Sequence, residues 1–203
     1  MLLHRWKTLM VHLGLPESMD TYSALIDAYS EKHRFYHDLS HLEAVLACFE
    51  KVESLAEQKF LVDLALWFHD AIYQPFSKEN EKNSAEWACR FLQENEVSQH
   101  VRETVHDLIM ATCHAGQAAS NDQKLIVDID LAILGQTESV YKQYAVAVRK
   151  EYSQVPALIY RRKRKSFLSD FLARERIYHF DYFYREYERR ARANLIEEIK
   201  VEK

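Results

Sequence analysis

Apolar residues recur every three or four positions through most of this chain. Two clear stretches with this spacing are Leu42, Val45, Leu46 and Phe49, and later Val101, Val105, Leu108 and Ile109. Such a period places one apolar stripe along an α-helix, whereas a half-buried strand alternates apolar and polar positions. The pattern therefore predicts an all-α protein, with roughly eight to ten helices at typical helix lengths.

Glycine and proline are too scarce for a protein rich in tight turns. Each occurs three times among 203 residues, which argues against an all-β fold. A hydrophobic content of 48% is enough to build a core, and we find no repeat or domain linker. We expect one domain over residues 1–203, with a motif-bearing core at about 35–135 and C-terminal helices at 137–203.

The chain has no overall positive charge that would attract nucleic acid. The net charge is −4, with 29% charged residues, so nucleic acid is not expected as a partner. The one dense basic run, Arg161–Lys165, covers every direction around a helix. We interpret most of it as a solvated helix face.

Cysteine use and apolar segment lengths predict a cytoplasmic protein. Cys48, Cys89 and Cys113 are odd in number and widely spaced, which fits a reducing compartment. Charged residues interrupt the N-terminal segment before an apolar stretch long enough for a signal peptide or a membrane span develops. No other segment reaches that length, so a membrane is not expected as a partner.

Histidines and carboxylates at three places along the chain point to a metal site. His41 comes first, His69-Asp70 ends the apolar run 64–70, and Asp128 and Asp130 follow downstream. Such a nitrogen and oxygen ligand set suits one divalent ion, which could be Mn, Co, Ni, Fe, Zn or Mg. Cysteine is absent from the set, whereas structural zinc fingers normally rest on thiolates in short paired spacings, so the pattern argues against a zinc finger.

The local sequence places these side chains at helix ends. Ser40 and Glu43 have the spacing of a capping box, which puts His41 in the first turn of a helix. His69-Asp70 comes at the end of a predicted helix that begins near Glu57. Side chains at neighbouring helix positions diverge by about 100°, so a helix end or a local bend would help both residues reach one ion.

The last carboxylates of the set lie in a further predicted helix, Leu125 to Leu134. Asp130 is the expected ligand there. Asp128 stands two residues earlier and would then point away, as a partner that orients a histidine ligand. The alternative, in which Asp128 is the ligand, stays open.

The order of these residues resembles the H…HD…D signature of the HD superfamily of metal-dependent phosphohydrolases. One branch, of about this length, shares three further blocks with the chain. These blocks are Phe68 to Tyr73, Asn80 to Ala85, and Asp128 to Gly135. The resemblance implies an HD-domain-like helical bundle and a metal held by His41, His69, Asp70 and Asp130.

The same resemblance implies roles for residues around the metal. His37 would be a general acid or a phosphate clamp, and Glu81 would orient the attacking water. Asn80, expected behind the ligands, occupies the position where two-metal members of the superfamily carry a histidine, which favours a single ion in this chain. His114 could supply the missing histidine. Apart from the resemblance, a substrate phosphate could be contacted by His114, by Arg149, or by Arg164 or Arg161 of the basic run.

The resulting functional hypothesis is hydrolysis of a phosphate ester, in a nucleotide or another small phosphorylated metabolite, by metal-activated water. Two alternatives remain: a regulatory module that binds metal or nucleotide without turnover, and a di-iron oxygenase of the same superfamily. An aromatic stripe of helical spacing is expected to pack on the core or against a second copy in a homodimer. Its members are Phe180, Phe183, Tyr184 and Tyr187.

Overall fold

The computed structural model describes residues 1–113 and 118–201. Helices dominate these residues, and no strand occurs among them, so the predicted all-α class is confirmed. The helices, in chain order, are α1 (Leu2–Leu13), α2 (Met19–Tyr29), α3 (Leu39–Val52), α4 (Lys59–Phe68), α5 (Asn80–Glu94), α6 (Gln99–Ala111), α7 (Asn121–Asp130), α8 (Glu138–Glu151), α9 (Ala157–Ala173), α10 (Asp181–Phe183) and α11 (Arg189–Val201).

The chain packs as two compact units, Met1–Ile129 and Asp130–Lys203. The division falls at the last residue of α7, so that helix belongs to the first unit in all but its final position. The expectation of a single domain with a core at about 35–135 stays a prediction. None of the helices in the described part of the chain combines the length and the apolar character needed to cross a membrane.

Helix α4 is the centre of the first unit. Residues 62–68 are all buried, which is the pattern of a helix that is surrounded by others. The Trp67 ring meets the Trp6 ring edge-on at 5.2 Å between centroids. One polar side chain within this stretch, Asp63, forms an ion pair with Arg5 at 3.2 Å. A well-packed helix therefore carries His69 at its C-terminal end.

Asp38, and not Ser40, caps the start of α3. Its carboxylate accepts hydrogen bonds from the backbone N–H groups of Ser40 at 2.8 Å and of His41 at 3.3 Å. The helix consequently begins at Leu39, and the predicted capping box with Glu43 is wrong. His41 nevertheless lies in the first turn, as expected.

A carboxylate from α7 anchors the start of α4. Asp122 is buried and accepts hydrogen bonds from the N–H groups of Glu57 and Gln58, each at 2.8 Å. These N–H groups precede the first turn of α4, where a negative charge is favourable. Since Asp122 lies near the start of α7 and Asp130 at its end, α7 is fixed in register with α4.

Gly135 and Tyr187 approach each other closely within the second unit. Helix α7 ends at Asp130 rather than at the predicted Leu134, and a 3₁₀ segment, Leu131–Gly135, follows it. A Cβ at Gly135 would lie 2.4 Å from the Tyr187 Cβ and 2.7 Å from the Tyr187 backbone oxygen. Tyr187 belongs to a π-helical turn, Tyr184–Glu188, that leads into α11.

We expect Gly135→Ala to destabilise the second unit by about 3 kcal/mol, the upper end of the usual overpacking cost, because part of the clash is with backbone. Thermal unfolding monitored by circular dichroism measures this loss. The matched control is Gly14→Ala: Gly14 has φ of 67° with no heavy atom within 4 Å of the added Cβ, so that variant tests backbone strain alone. An unchanged melting temperature in Gly135→Ala would contradict the close approach.

Candidate metal centre

Three of the predicted ligands converge although they lie far apart in sequence. His41 lies in α3, His69 directly follows α4, and Asp130 ends α7. One ligand atom from each lies within 4.8 Å of the others, and both histidines are buried. The prediction that three sequence-distant helices meet at a potential metal site is confirmed. Of the two candidate carboxylates in α7, the structure brings Asp130 into the cluster.

Asp70 adds a carboxylate to the two imidazoles. Its Oδ2 atom lies 3.3 Å from His41 Nε2 and 3.2 Å from His69 Nε2. The two Nε2 atoms are 3.0 Å apart. These three atoms form a nearly equilateral triangle, with the Asp70 side chain 14% exposed and the imidazoles almost fully buried. The most accessible of these three side chains is therefore the carboxylate of Asp70.

The dimensions of this triangle fit donors around one divalent ion. Ligand atoms about 2.1 Å from an ion and about 90–109° apart are separated by about 3.0–3.4 Å. All three separations, 3.0, 3.3 and 3.2 Å, fall within that interval. The donors present thus suit a divalent cation with mixed nitrogen and oxygen coordination.

The outer nitrogen of His69 is fixed by the end of α4. Nδ1 lies 2.8 Å from the backbone oxygen of Leu66, an acceptor, so this nitrogen carries the proton and donates. Nε2 is left facing the cluster. A histidine ligand that donates its other ring N–H to a carbonyl is the usual arrangement at metal sites, because that bond sets both tautomer and ring orientation.

The charge of the cluster depends on the ionisation of Asp70. Burial by itself raises the pKa of Asp70, but attraction to His69 and hydrogen bonds from His41 and His69 outweigh it and hold that pKa well below its usual value. The Asp70 carboxylate is therefore ionised and contributes a negative charge to the cluster.

His37 lies at the edge of the cluster. It precedes the N-cap of α3, and its ring is 5.9 Å from the His41 ring between centroids. The ring stacks on Tyr73 with centroids 4.1 Å apart and meets Tyr36 edge-on at 4.8 Å. His37 also attracts Asp70 electrostatically. A partly exposed imidazole is thus placed beside the ligands, while its role in catalysis stays a prediction.

Glu81 and Asn80 occupy the first turn of α5. Burial, together with the Glu81 carboxylate that accepts its hydrogen bond, raises the pKa of the Cys113 thiol to about 11. The Asn80 amide accepts from Gln74 N–H at 3.0 Å and donates to Gln74 oxygen at 2.9 Å. Asn80 therefore closes the loop after His69-Asp70, and the proposed part of Glu81 in water activation stays a prediction.

The predicted phosphate ligands have other partners or lie outside the described residues. Arg149 donates to the backbone oxygens of Tyr152 and Val155, beyond the end of α8. Arg164 is buried and donates to Glu198 from Nε at 2.8 Å, whereas the rest of its basic run is exposed, as expected. These contacts give both arginines structural roles in the second unit. His114 lies outside the described residues.

The pattern of charges along the chain did not reveal Asp122 or Arg34. A single Asp near the start of a helix is normally interpreted as a favourable charge at the N-terminal end of that helix dipole. The hydrogen bonds that Asp122 accepts from another helix therefore have no local sequence signal. An isolated Arg is normally expected at the surface. The Arg34 side chain is nevertheless 0% exposed, and its guanidinium reaches the segments that carry the ligands.

Comparison of the chain with family models, curated proteins and solved structures found no match. The candidate metal centre is assigned from the positions of its own residues. The resemblance to the HD superfamily rests on the spacing of His41, His69-Asp70 and Asp130, together with the three sequence blocks.

Proposed function

We propose that this protein is a metal-dependent hydrolase of small phosphate esters, of the HD type, with nucleotides as the first substrates to test. The observation that carries this proposal is the convergence of His41, His69 and Asp130, with Asp70 against both imidazoles. These four residues would hold one divalent ion, of which Mn, Co, Ni, Fe, Zn and Mg are the candidates. Four protein ligands leave coordination positions free for water and for a phosphate oxygen.

A divalent ion bound there would lower the pKa of a coordinated water and neutralise negative charge on a phosphoryl group. The protein's own contribution is to orient the donors. His69 Nδ1 is tied to Leu66, and α7 is tied to α4 through Asp122, so the ligand positions are set before any ligand binds. Preorganisation of this kind reduces the cost of binding a cation.

His37 is the residue best placed to handle a proton. Its ring is partly exposed, stacked on Tyr73 and close to the ligands. We assign it the role of general acid to the leaving oxygen, or of a donor to the substrate phosphate. The Glu81 carboxylate is the second candidate for proton handling, through a water that it would orient.

His37→Ala is expected to lower kcat by about 10²- to 10⁴-fold, the usual contribution of a general acid, while metal content stays at the wild-type level. Steady-state phosphate release and elemental analysis of the same preparations measure both quantities. Unchanged turnover would remove His37 from the mechanism. Loss of the metal together with turnover would instead make it part of the metal site.

The proposed activity is tested by phosphate release from a panel of nucleotides and sugar phosphates, after loading with each candidate metal. Asp70→Asn is the active-site variant, because the amide keeps the shape and loses the charge. Asp107→Asn is its matched control, since Asp107 follows a histidine in the exposed pair His106-Asp107. Metal-dependent release that is lost only in Asp70→Asn supports the proposal.

The other outcomes would point to the alternative functions. Metal binding without release of phosphate from any substrate would favour a regulatory module. Two irons per chain with oxygen consumption would favour an oxygenase. Phosphate release that persists in Asp70→Asn at the wild-type rate would contradict the proposed site.

A further inference from the structure

The structure assigns to Arg34 the role of a positioning residue that holds the two ligand-bearing segments of the metal centre in register. This inference rests on the proposed function, since it concerns the geometry of the same site. Arg34 lies in the segment between α2 and α3, three residues before His37. Its guanidinium donates hydrogen bonds to backbone oxygens and to one carboxylate, and none of these bonds requires a bound ion.

The Arg34 guanidinium bridges the segment before α3 and the segment after α4. Nη1 donates to the backbone oxygen of His37 at 3.0 Å and to that of Asp70 at 2.6 Å. Nη2 donates to the backbone oxygen of Ala71 at 2.9 Å. The first oxygen belongs to the segment leading to His41 and the other two to the segment that follows His69. Arg34 therefore connects the segments on which three of the four candidate ligands lie.

The position of Arg34 is itself closely determined. Its Nε donates to Glu31 at 3.0 Å. Its guanidinium carbon lies 5.2 Å from the Tyr29 ring centroid and 5.5 Å from that of Tyr73. The Tyr29 hydroxyl in turn accepts from the N–H of Asp70 at 3.3 Å. A planar, fixed group of this kind can hold several carbonyls at once, which a lysine ammonium on a flexible stem cannot reproduce.

The segment after α4 needs such a partner because helix ends leave carbonyls without helical hydrogen bonds. The N–H of Ala71 already bonds to Phe68 oxygen at 2.9 Å, which turns the chain directly after the helix. The oxygens of Asp70 and Ala71 then accept from Arg34. By holding this turn, Arg34 lets the adjacent side chains of His69 and Asp70 face one point although neighbouring helix positions diverge.

Arg34→Lys tests the role, because it keeps the charge and removes the planar fork. The expected result is a Co²⁺ dissociation constant raised about 10- to 100-fold, the range for a lost partner behind the ligands. The affinity is followed by the visible absorption of Co²⁺, whose changed shape would also report altered coordination. Circular dichroism and a melting curve establish that each variant is folded at the temperature of titration.

Arg192→Lys is a matched control from the second unit. Arg192 donates from Nε to Glu188 at 2.7 Å and also holds the backbone oxygens of Leu172, Arg174 and Glu175. It should lose comparable stability and keep wild-type Co²⁺ affinity. Equal affinity in wild type and Arg34→Lys, or an equal loss in both arginine variants, would overturn the positioning role while leaving the metal centre intact.

Two further outcomes are decisive. If wild-type protein binds no Co²⁺, both the proposed function and the role of Arg34 fail. If Arg34→Lys does not fold, Glu31→Ala takes its place, since Glu31 is 41% exposed and its loss removes the acceptor of the Arg34 Nε without emptying the core. A two- to tenfold weaker affinity, on the order of a single lost charge-assisted hydrogen bond, supports the role. An unchanged affinity overturns it.

Discussion

His69→Ala is expected to abolish metal binding, whereas wild-type protein retains about one divalent ion per chain. His69 is 1% exposed, and its Nε2 lies within 3.2 Å of both His41 Nε2 and Asp70 Oδ2, so its removal takes away one of the three donors that face one another. The loss should exceed the roughly 10- to 100-fold that removal of an outer partner costs. Elemental analysis after chelator-free purification and after reloading measures it.

Stability provides a second, independent measure of the same site. An ion present at about 100 times its dissociation constant stabilises a folded protein by about 2.7 kcal/mol. At about 2–4 °C for each kcal/mol in a chain of this size, the melting temperature should rise by about 5–11 °C on metal addition. The rise should disappear in His69→Ala, because that variant has no site for the ion to bind.

The chain supplies a matched control in the dipeptide His106-Asp107. It has the same two residue types in the same order, with His106 Nδ1 3.1 Å from Asp107 Oδ1, on an exposed surface of α6. His106→Ala should leave metal content and the metal-induced rise unchanged. Retention of the ion by His69→Ala would show that the cluster is not the binding site.

Arg164→Met is expected to destabilise the protein by about 3–5 kcal/mol, because it leaves the Glu198 carboxylate buried without its cation. The Arg164 and Glu198 side chains are 7% and 11% exposed, and Arg164 Nε donates to Glu198 Oε1 at 2.8 Å. Glu198 also accepts from the Tyr141 hydroxyl. Burial and that carboxylate raise the pKa of Tyr141, so the hydroxyl stays a donor. Urea unfolding measures the loss.

The double variant Arg164→Met/Glu198→Leu should recover most of this stability. Replacing both members of a buried ion pair with apolar side chains of similar volume is often neutral, whereas removing one member is not. The double-variant cycle therefore separates the cost of an orphaned charge from the worth of the pair. If the single variant is as stable as wild type, the buried pair has no structural role.

The same variants decide between two interpretations of Arg164. If Arg164 is a phosphate ligand, its replacement should raise KM, and the double variant should not restore KM. If Arg164 is part of a buried ion pair only, its replacement should leave KM unchanged at temperatures where each variant is folded. The contacts with Glu198 and Tyr144 favour the second result.

The candidate metal ligands could be predicted because their chemistry and local setting are both visible in the sequence. His69-Asp70 closes an apolar run, and its imidazole and carboxylate both suit a divalent ion. His41 and Asp130 then complete a nitrogen and oxygen set with no competing thiol. Helix signals placed His41 and His69 at helix ends but Asp130 inside a helix from Leu125 to Leu134. The structure ends that helix at Asp130 and confirms that His41, His69 and Asp130 come together.

Details that depend on packing could not be predicted in the same way. The choice of Asp38 over Ser40 as the cap of α3 depends on the direction in which the chain enters the helix. Asp122 accepts a hydrogen bond from an N–H group 65 residues earlier, and Arg34 donates to carbonyls on two separate segments. Bonds of this kind join residues that are distant in sequence, so no local pattern records them.

The sequence by itself determined the all-helical class, the residues able to hold a metal and the helix ends at which His41 and His69 lie. These follow from apolar periodicity and from the chemistry of individual side chains, which are local properties. The tertiary structure alone decided that His69 and Asp70 face His41, and that Arg164 is buried against Glu198. Those outcomes depend on how helices distant in sequence pack, and packing is a property of the whole fold.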